Sequence, residues 1–207
     1  MLKQVFLNLC ESYTDDFLKT TSLWNEIEKE HTKPNRYYHN ISHLVHIYQQ
    51  LLSIKPEIID WDILLFSLFY HDFIYNILKK NNEEASADKA VQVLNNLQHI
   101  SKERIDNCHQ IILATKNHQI NTNSDVNYFT DADLSILGAS WQTYTTYINN
   151  IRKEYKLYPD FLYNKGRKQV LRQLLAMPQL YKTPHFKKQY ELQARQNITA
   201  EIKLLEN

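Results

Sequence analysis

WDILLFSLFYHDFIY, Trp61 to Tyr75, is the stretch on which the fold turns. Ile63, Leu64, Leu65, Phe66, Leu68, Phe69, Phe73 and Ile74 are spread over nearly every side of a helical wheel, and a helix that is apolar all round is a buried one. Its longest apolar run, Ile63 to Tyr70, falls far short of the ~20 residues that span a bilayer, so the burial must be inside protein. His71 and Asp72 break the pattern at the end of this segment. A carboxylate beside an imidazole at a buried helix end is strongly disfavoured unless it is paired or bound to a cation.

Working outward, apolar residues recur at helical spacing in Leu2, Val5, Phe6, Leu9, in Leu44, Ile47, Tyr48, Leu51, Leu52, and in Ile105, Cys108, Ile111, Ile112. Breaks are expected near Thr32 to Asn35, Pro56, Asn81 and Asn82, Asn121 to Ser124, Pro159, Pro178 and Pro184. Only Asn127 to Thr130 approaches strand-like alternation. The expectation is a single all-α domain over 1–207 with about nine or ten helices.

Composition narrows the chemistry. The 207 residues include only two glycines, Gly138 and Gly166, where about fourteen would be average, which excludes glycine-rich phosphate cradles and dinucleotide fingerprints. A net charge of +1 gives no field that selects nucleic acid or an anionic membrane, and neither partner is expected. Cys10 and Cys108 read as two free thiols in a reducing compartment. Met1 to Cys10 lacks the pattern of a signal peptide, so a cytoplasmic location is expected. Helical faces rich in Leu and Tyr serve equally as core or as a homodimer interface.

Candidate partners for the buried His-Asp pair all lie between residues 36 and 133: Arg36, His39, Asn40 and His43; Asn82, Glu83 and Glu84; His118; Asp131 and Asp133. His39 and His43 are four apart, one turn on a helix face, so one could bind metal while the other serves a substrate. Imidazoles mixed with carboxylates suit Zn, Mn, Fe, Co or Ni better than calcium. The aromatic excess is mainly core, with Tyr37, Tyr38 and Tyr75 beside the motifs as candidates for a nucleobase wall.

In order, Arg36-Tyr-Tyr-His39-Asn-x-x-His43, His71-Asp72, Asn82-Glu83, Leu113-Ala-Thr115 with His118, and Asp131-Ala-Asp133-Leu134 resemble the HD superfamily of metal-dependent phosphohydrolases. More narrowly, Asn82 to Ser86, Asp131 to Gly138, Ile151 to Tyr155 and Ala194 to Asn197 are similar to motifs of a bacterial group of predicted HD phosphohydrolases. The resemblance implies an HD-type helical bundle with a motif core over 36–138 and C-terminal helices over 140–205 packed on it. It implies metal ligands His43, His71, Asp72 and Asp133. Likeness to cyclic-nucleotide phosphodiesterases makes His39 the general acid; Lys116 stands where those enzymes carry an Asp.

The implied cofactor is one divalent ion, Mn, Mg, Fe, Co, Ni or Zn, with a second accommodated if Asp72 bridges. Glu83 is expected as a base or as a group orienting water. His118 and Asp131 are candidates for a second ion or for substrate; Asp131 is alternatively a support for the site. Arg36, Lys116 and Arg152, together with Arg167, are the cations expected near substrate phosphate. The implied reaction is hydrolysis of a phosphoester of a small metabolite, with a nucleotide as the foremost class. A di-iron oxygenase on the same fold would require His118 and a further histidine, and a metal-containing nucleotide sensor would bind without turnover.

Overall fold

The computed structural model describes residues 1–206, and among them the regular structure is helical throughout. The helices are α1 (Leu2–Glu11), α2 (Phe17–His31), α3 (Ile41–Ser53), α4 (Trp61–Tyr70), α5 (Asn82–Leu94), α6 (Lys102–Ala114), α7 (Ser124–Leu134), α8 (Trp141–Glu154), α9 (Asp160–Ala176) and α10 (Pro184–Leu204), with 3-10 turns at Lys55–Glu57 and Ser135–Gly138. Asn127 to Thr130, the strand-like stretch, is the middle of α7. Every anticipated break falls between helices or at a helix end, Pro184 taking the first position of α10 where its missing N–H costs nothing. The chain divides into two compact units, Met1–Thr130 and the residues from Asp131 onward, with α7 running through the boundary.

In the first unit α4 is the axis of the core. It packs against α1, α3, α5 and α6, and all eight residues from Ile63 to Tyr70 are buried. Phe69 meets Phe6 edge-on at 5.0 Å and Trp24 at 6.2 Å, while Phe66 lies 5.7 Å from Tyr13. Each such fully buried side chain contributes about 1.5–3 kcal/mol of transfer free energy. Ser67, the one polar residue of that run, donates to the Ile63 carbonyl at 2.9 Å and so carries no unpaired hydroxyl into the core. Side-chain caps start the helices as local chemistry dictates: Asp16 accepts from Lys19 N, Asn40 from Ser42 N, Asp60 from Ile63 N and Ser101 from Arg104 N. Cys10 and Cys108 are free and buried, and burial pushes both thiols up to about 12.

In the second unit α10 packs on α9 and on the Ser135–Gly138 turn. The contact is backbone to backbone: a Cβ added at Gly138 would stand 2.6 Å from Tyr190 Cβ and 2.8 Å from its carbonyl oxygen. Asn197 of α10 donates to the carbonyls of Leu137 and Ala139, both at 2.8 Å, and Arg195 donates to Leu175 O and Met177 O at the end of α9. The Ala194–Asn197 motif is therefore a clasp on two loops. Arg167 and Glu201 form a buried pair at 2.7 Å, with the hydroxyls of Tyr144 and Tyr147 completing it.

The two glycines should respond oppositely to the same change. Gly138→Ala is expected to lower unfolding free energy by about 1–3 kcal/mol through overpacking. Gly166, inside α9 with nothing within 4 Å of the point a methyl group would occupy, should gain about 0.5–1 kcal/mol as alanine. Urea unfolding of the two variants checks both signs.

Candidate metal centre

The end of α4 brings three donor atoms together. His71 Nε2 lies 3.3 Å from His43 Nε2 and 3.1 Å from Asp72 Oδ2, and His43 Nε2 lies 3.5 Å from the same oxygen. His43 and His71 are buried, while the Asp72 side chain keeps 21% of its surface open to solvent. His71 Nδ1 is 2.9 Å from the Leu68 carbonyl, which can only accept, so this nitrogen carries the proton. In the neutral ring the lone pair is then on Nε2, aimed at the cluster, the tautomer a metal ligand needs.

Two nitrogens and a carboxylate oxygen this close repel one another unless a proton or a cation lies among them. A triangle with those sides has its corners about 1.9 Å from its centre, matching metal–nitrogen and metal–oxygen bonds of about 2 Å. The donor set thus fits a divalent ion. Burial alone would raise the Asp72 carboxyl; with the rings protonated, the charges of His71 and His39 and the hydrogen bonds from His43 and His71 outweigh it and hold the group well below the ordinary range.

The backbone around the cluster is held by side chains. Arg36, itself buried, donates to His39 O at 3.1 Å, Asp72 O at 2.7 Å and Phe73 O at 2.9 Å, joining the loop before α3 to the turn after α4. Ser86 Oγ accepts from Ile74 N and donates to Ile74 O, and Asn82 pairs its amide with both the N–H and the carbonyl of Asn76. These contacts satisfy backbone groups of the turn that follows α4.

His39 sits on the loop before α3. Its ring lies 4.3 Å from that of Tyr75 at 30°, 5.0 Å from Tyr38 at 83° and 5.7 Å from His43 at 74°. The Arg36 guanidinium is 5.4 Å from the Tyr75 ring centre. Tyr75 thus meets a protein imidazole, and Tyr37 is the most open of the three tyrosines considered for a nucleobase. Phe129 of α7 meets His71 edge-on at 5.5 Å, and Asp133 follows one turn later on the same helix.

The expected phosphate cations are engaged inside the protein. Arg36 serves the three carbonyls above. Lys116 bonds Glu84 and Lys80 O, and Arg152 bonds Asp160, Tyr155 O and Tyr158 O beneath the ring of Tyr163. Glu83 is half-buried on the first turn of α5. His118 follows α6 with a left-handed backbone, φ 52°. Asp131, fully buried in its own unit, accepts from the backbone N–H groups of Lys182 and Thr183 and from the Thr183 hydroxyl, all at 2.8–3.0 Å, so its oxygens are committed to the start of α10.

His31 has no sequence signal beyond its place in an amphipathic helix, yet it lies buried within the field of this site. Its Nδ1 donates to Ile27 O at 2.9 Å. Burial first and the Arg36 guanidinium second push the ring down to about 3.

Two outcomes follow from these environments. Arg36→Met should cost about 2–4 kcal/mol in denaturant unfolding, because it strands buried carbonyls that accept from a charged donor. Between pH 6.5 and about 3 an unfolded His31 takes up a proton that the folded one refuses, so stability falls as pH falls, by up to about 1.4 kcal/mol per unit. The difference between wild type and His31→Gln across that range should show this slope. No family model, curated protein or solved structure matches this chain.

Proposed function

We propose that this protein is a metal-dependent phosphohydrolase that cleaves a phosphoester of a small metabolite, with a nucleotide as the substrate class. The observation that carries the reading is the convergence of His43 Nε2, His71 Nε2 and Asp72 Oδ2 within 3.5 Å of one another at the end of a buried helix. These are three of the four ligands that the resemblance implies, Asp133 being the fourth. The resemblance of the ordered motifs to HD phosphohydrolases supports the same assignment.

A bound divalent ion supplies Lewis acidity and a water whose pKa drops from about 15.7 to about 7. The chain supplies the rest. His43 and His71 present unprotonated nitrogens from buried positions, and Leu68 O fixes the second ring's tautomer. Asp72 adds a carboxylate oxygen and remains partly open to solvent. His39, beside the cluster and outside the three-atom triangle, holds the proton that the leaving oxygen needs, a contribution of about 10²–10⁴-fold. Glu83 on α5 is the candidate to orient the attacking water.

Elemental analysis of the purified protein, with a phosphate-release screen over nucleotides, cyclic nucleotides and sugar phosphates, tests this. His71→Ala and Asp72→Ala should lose metal and turnover together. His39→Ala should keep metal and lose about 10²–10⁴-fold in rate. A wild-type protein that takes up no divalent ion, or equal metal loss in all three variants, would overturn the assignment of roles.

A further inference from the structure

We infer that Tyr75 is a positioning residue for His39: its ring fixes the orientation from which the imidazole hands its proton to the leaving oxygen. This rests on the hydrolase reading above. Tyr38 and His43 meet His39 steeply inclined, at 83° and 74°, and Tyr75 meets it at 4.3 Å and 30°. The nearest and least inclined of these rings lies along the imidazole and limits how far it can tilt.

Tyr75 is not itself loose. The Arg36 guanidinium stands 5.4 Å from its centre, and the same guanidinium holds the carbonyls of His39, Asp72 and Phe73. Two residues before it in the turn, Phe73 is buried, and between them Ile74 has both backbone groups bonded to Ser86. One cation therefore references both the loop that carries His39 and the turn that carries Tyr75, so the ring pair inherits its register from the metal-ligand backbone. In the reaction the bond from water oxygen to phosphorus forms, the water's proton passing to Glu83, as the ester P–O bond breaks. The leaving oxygen keeps that electron pair and takes the proton from the His39 N–H, whose own pair stays on the ring. A ring free to swing would meet that oxygen in only a fraction of encounters.

The test uses the full chain with Mn²⁺ and two probes whose alkoxide leaving groups need a proton, adenosine 5′-monophosphate and cyclic 3′,5′-adenosine monophosphate, in wild type, Tyr75→Phe, Tyr75→Leu, His39→Ala and the Tyr75→Leu/His39→Ala pair. Tyr75→Phe, which keeps the ring, should hold kcat well above that of Tyr75→Leu. Tyr75→Leu should bind manganese as wild type does, lose about tenfold or more in kcat with KM within about twofold, and add nothing to His39→Ala. NMR of the His39 carbon-bound ring protons gives a readout without turnover: their ring-current shift should persist in Tyr75→Phe and collapse in Tyr75→Leu. A rise in KM at constant kcat would make Tyr75 a wall for substrate and overturn the inference, as would multiplicative losses in the double variant or an unchanged shift in Tyr75→Leu. Absence of hydrolysis by wild type with a shift that still collapses would sink the hydrolase reading and the proton-transfer role with it, leaving only the ring packing.

Discussion

An ionised carboxylate at the end of a helix that is apolar on every face has to be compensated, and the first unit is organised around that requirement. α4 brings Asp72 to the edge of the core because the eight residues before His71 are buried on all sides. The imidazoles of His43 and His71 lie against the carboxylate, and in the protonated state the charges of His71 and His39, with hydrogen bonds from His43 and His71, outweigh the upward push of burial. Without that compensation the end of α4 would be a site of instability; with it, three donor atoms face one point.

The same helix end leaves backbone groups without helical partners, and here the chain relies on side chains. Arg36 takes two carbonyls after α4, Ser86 takes the N–H and carbonyl of Ile74, and Asn82 takes both groups of Asn76. The pattern recurs where Asn127 pairs with both backbone groups of Asn121, six residues before it, and where Asp125 accepts from Ile59 N and Asp60 N. In the second unit Asp131 does this for residues 182 and 183 and Asn197 for residues 137 and 139. With two glycines in 207 residues, few turns can close through left-handed backbone, and polar side chains acting as backbone surrogates are the alternative. Several residues of the ordered motifs, Arg36, Asn82, Ser86, Asp131 and Asn197, thereby have a structural reason for their identity apart from any contact with substrate.

This division of labour bears on how phosphate would be met. Arg36, Lys116, Arg152 and Arg167 are each bonded within the fold, the last in a buried pair with Glu201. Cationic side chains near a motif are thus poor guides to the substrate here, because an Arg fork suits carbonyl pairs and carboxylates as well as it suits phosphate. On the proposed reading, neutralisation of the phosphate falls chiefly to the metal, with His39 as the proton donor. None of the described helices is long and apolar enough to cross a membrane.

Helix content was legible from local patterning. Apolar spacing, Asn, Asp and Ser caps, and proline breaks act within a few residues, and they set the positions of nearly every helix. The need of the His71-Asp72 pair for a partner was also legible, because the helix that carries it is apolar on every side and so marks its end for burial. What sequence alone could not decide is which atoms answer that need. Arg36 reaches carbonyls 36 and 37 residues away, His43 meets a nitrogen 28 residues away, and His31 is neutral because packing, not any neighbour in sequence, removes its water. Helices form from short-range torsional and capping preferences, whereas the donor triangle and the ring beneath His39 depend on how separate helices pack, and only the tertiary structure decides that.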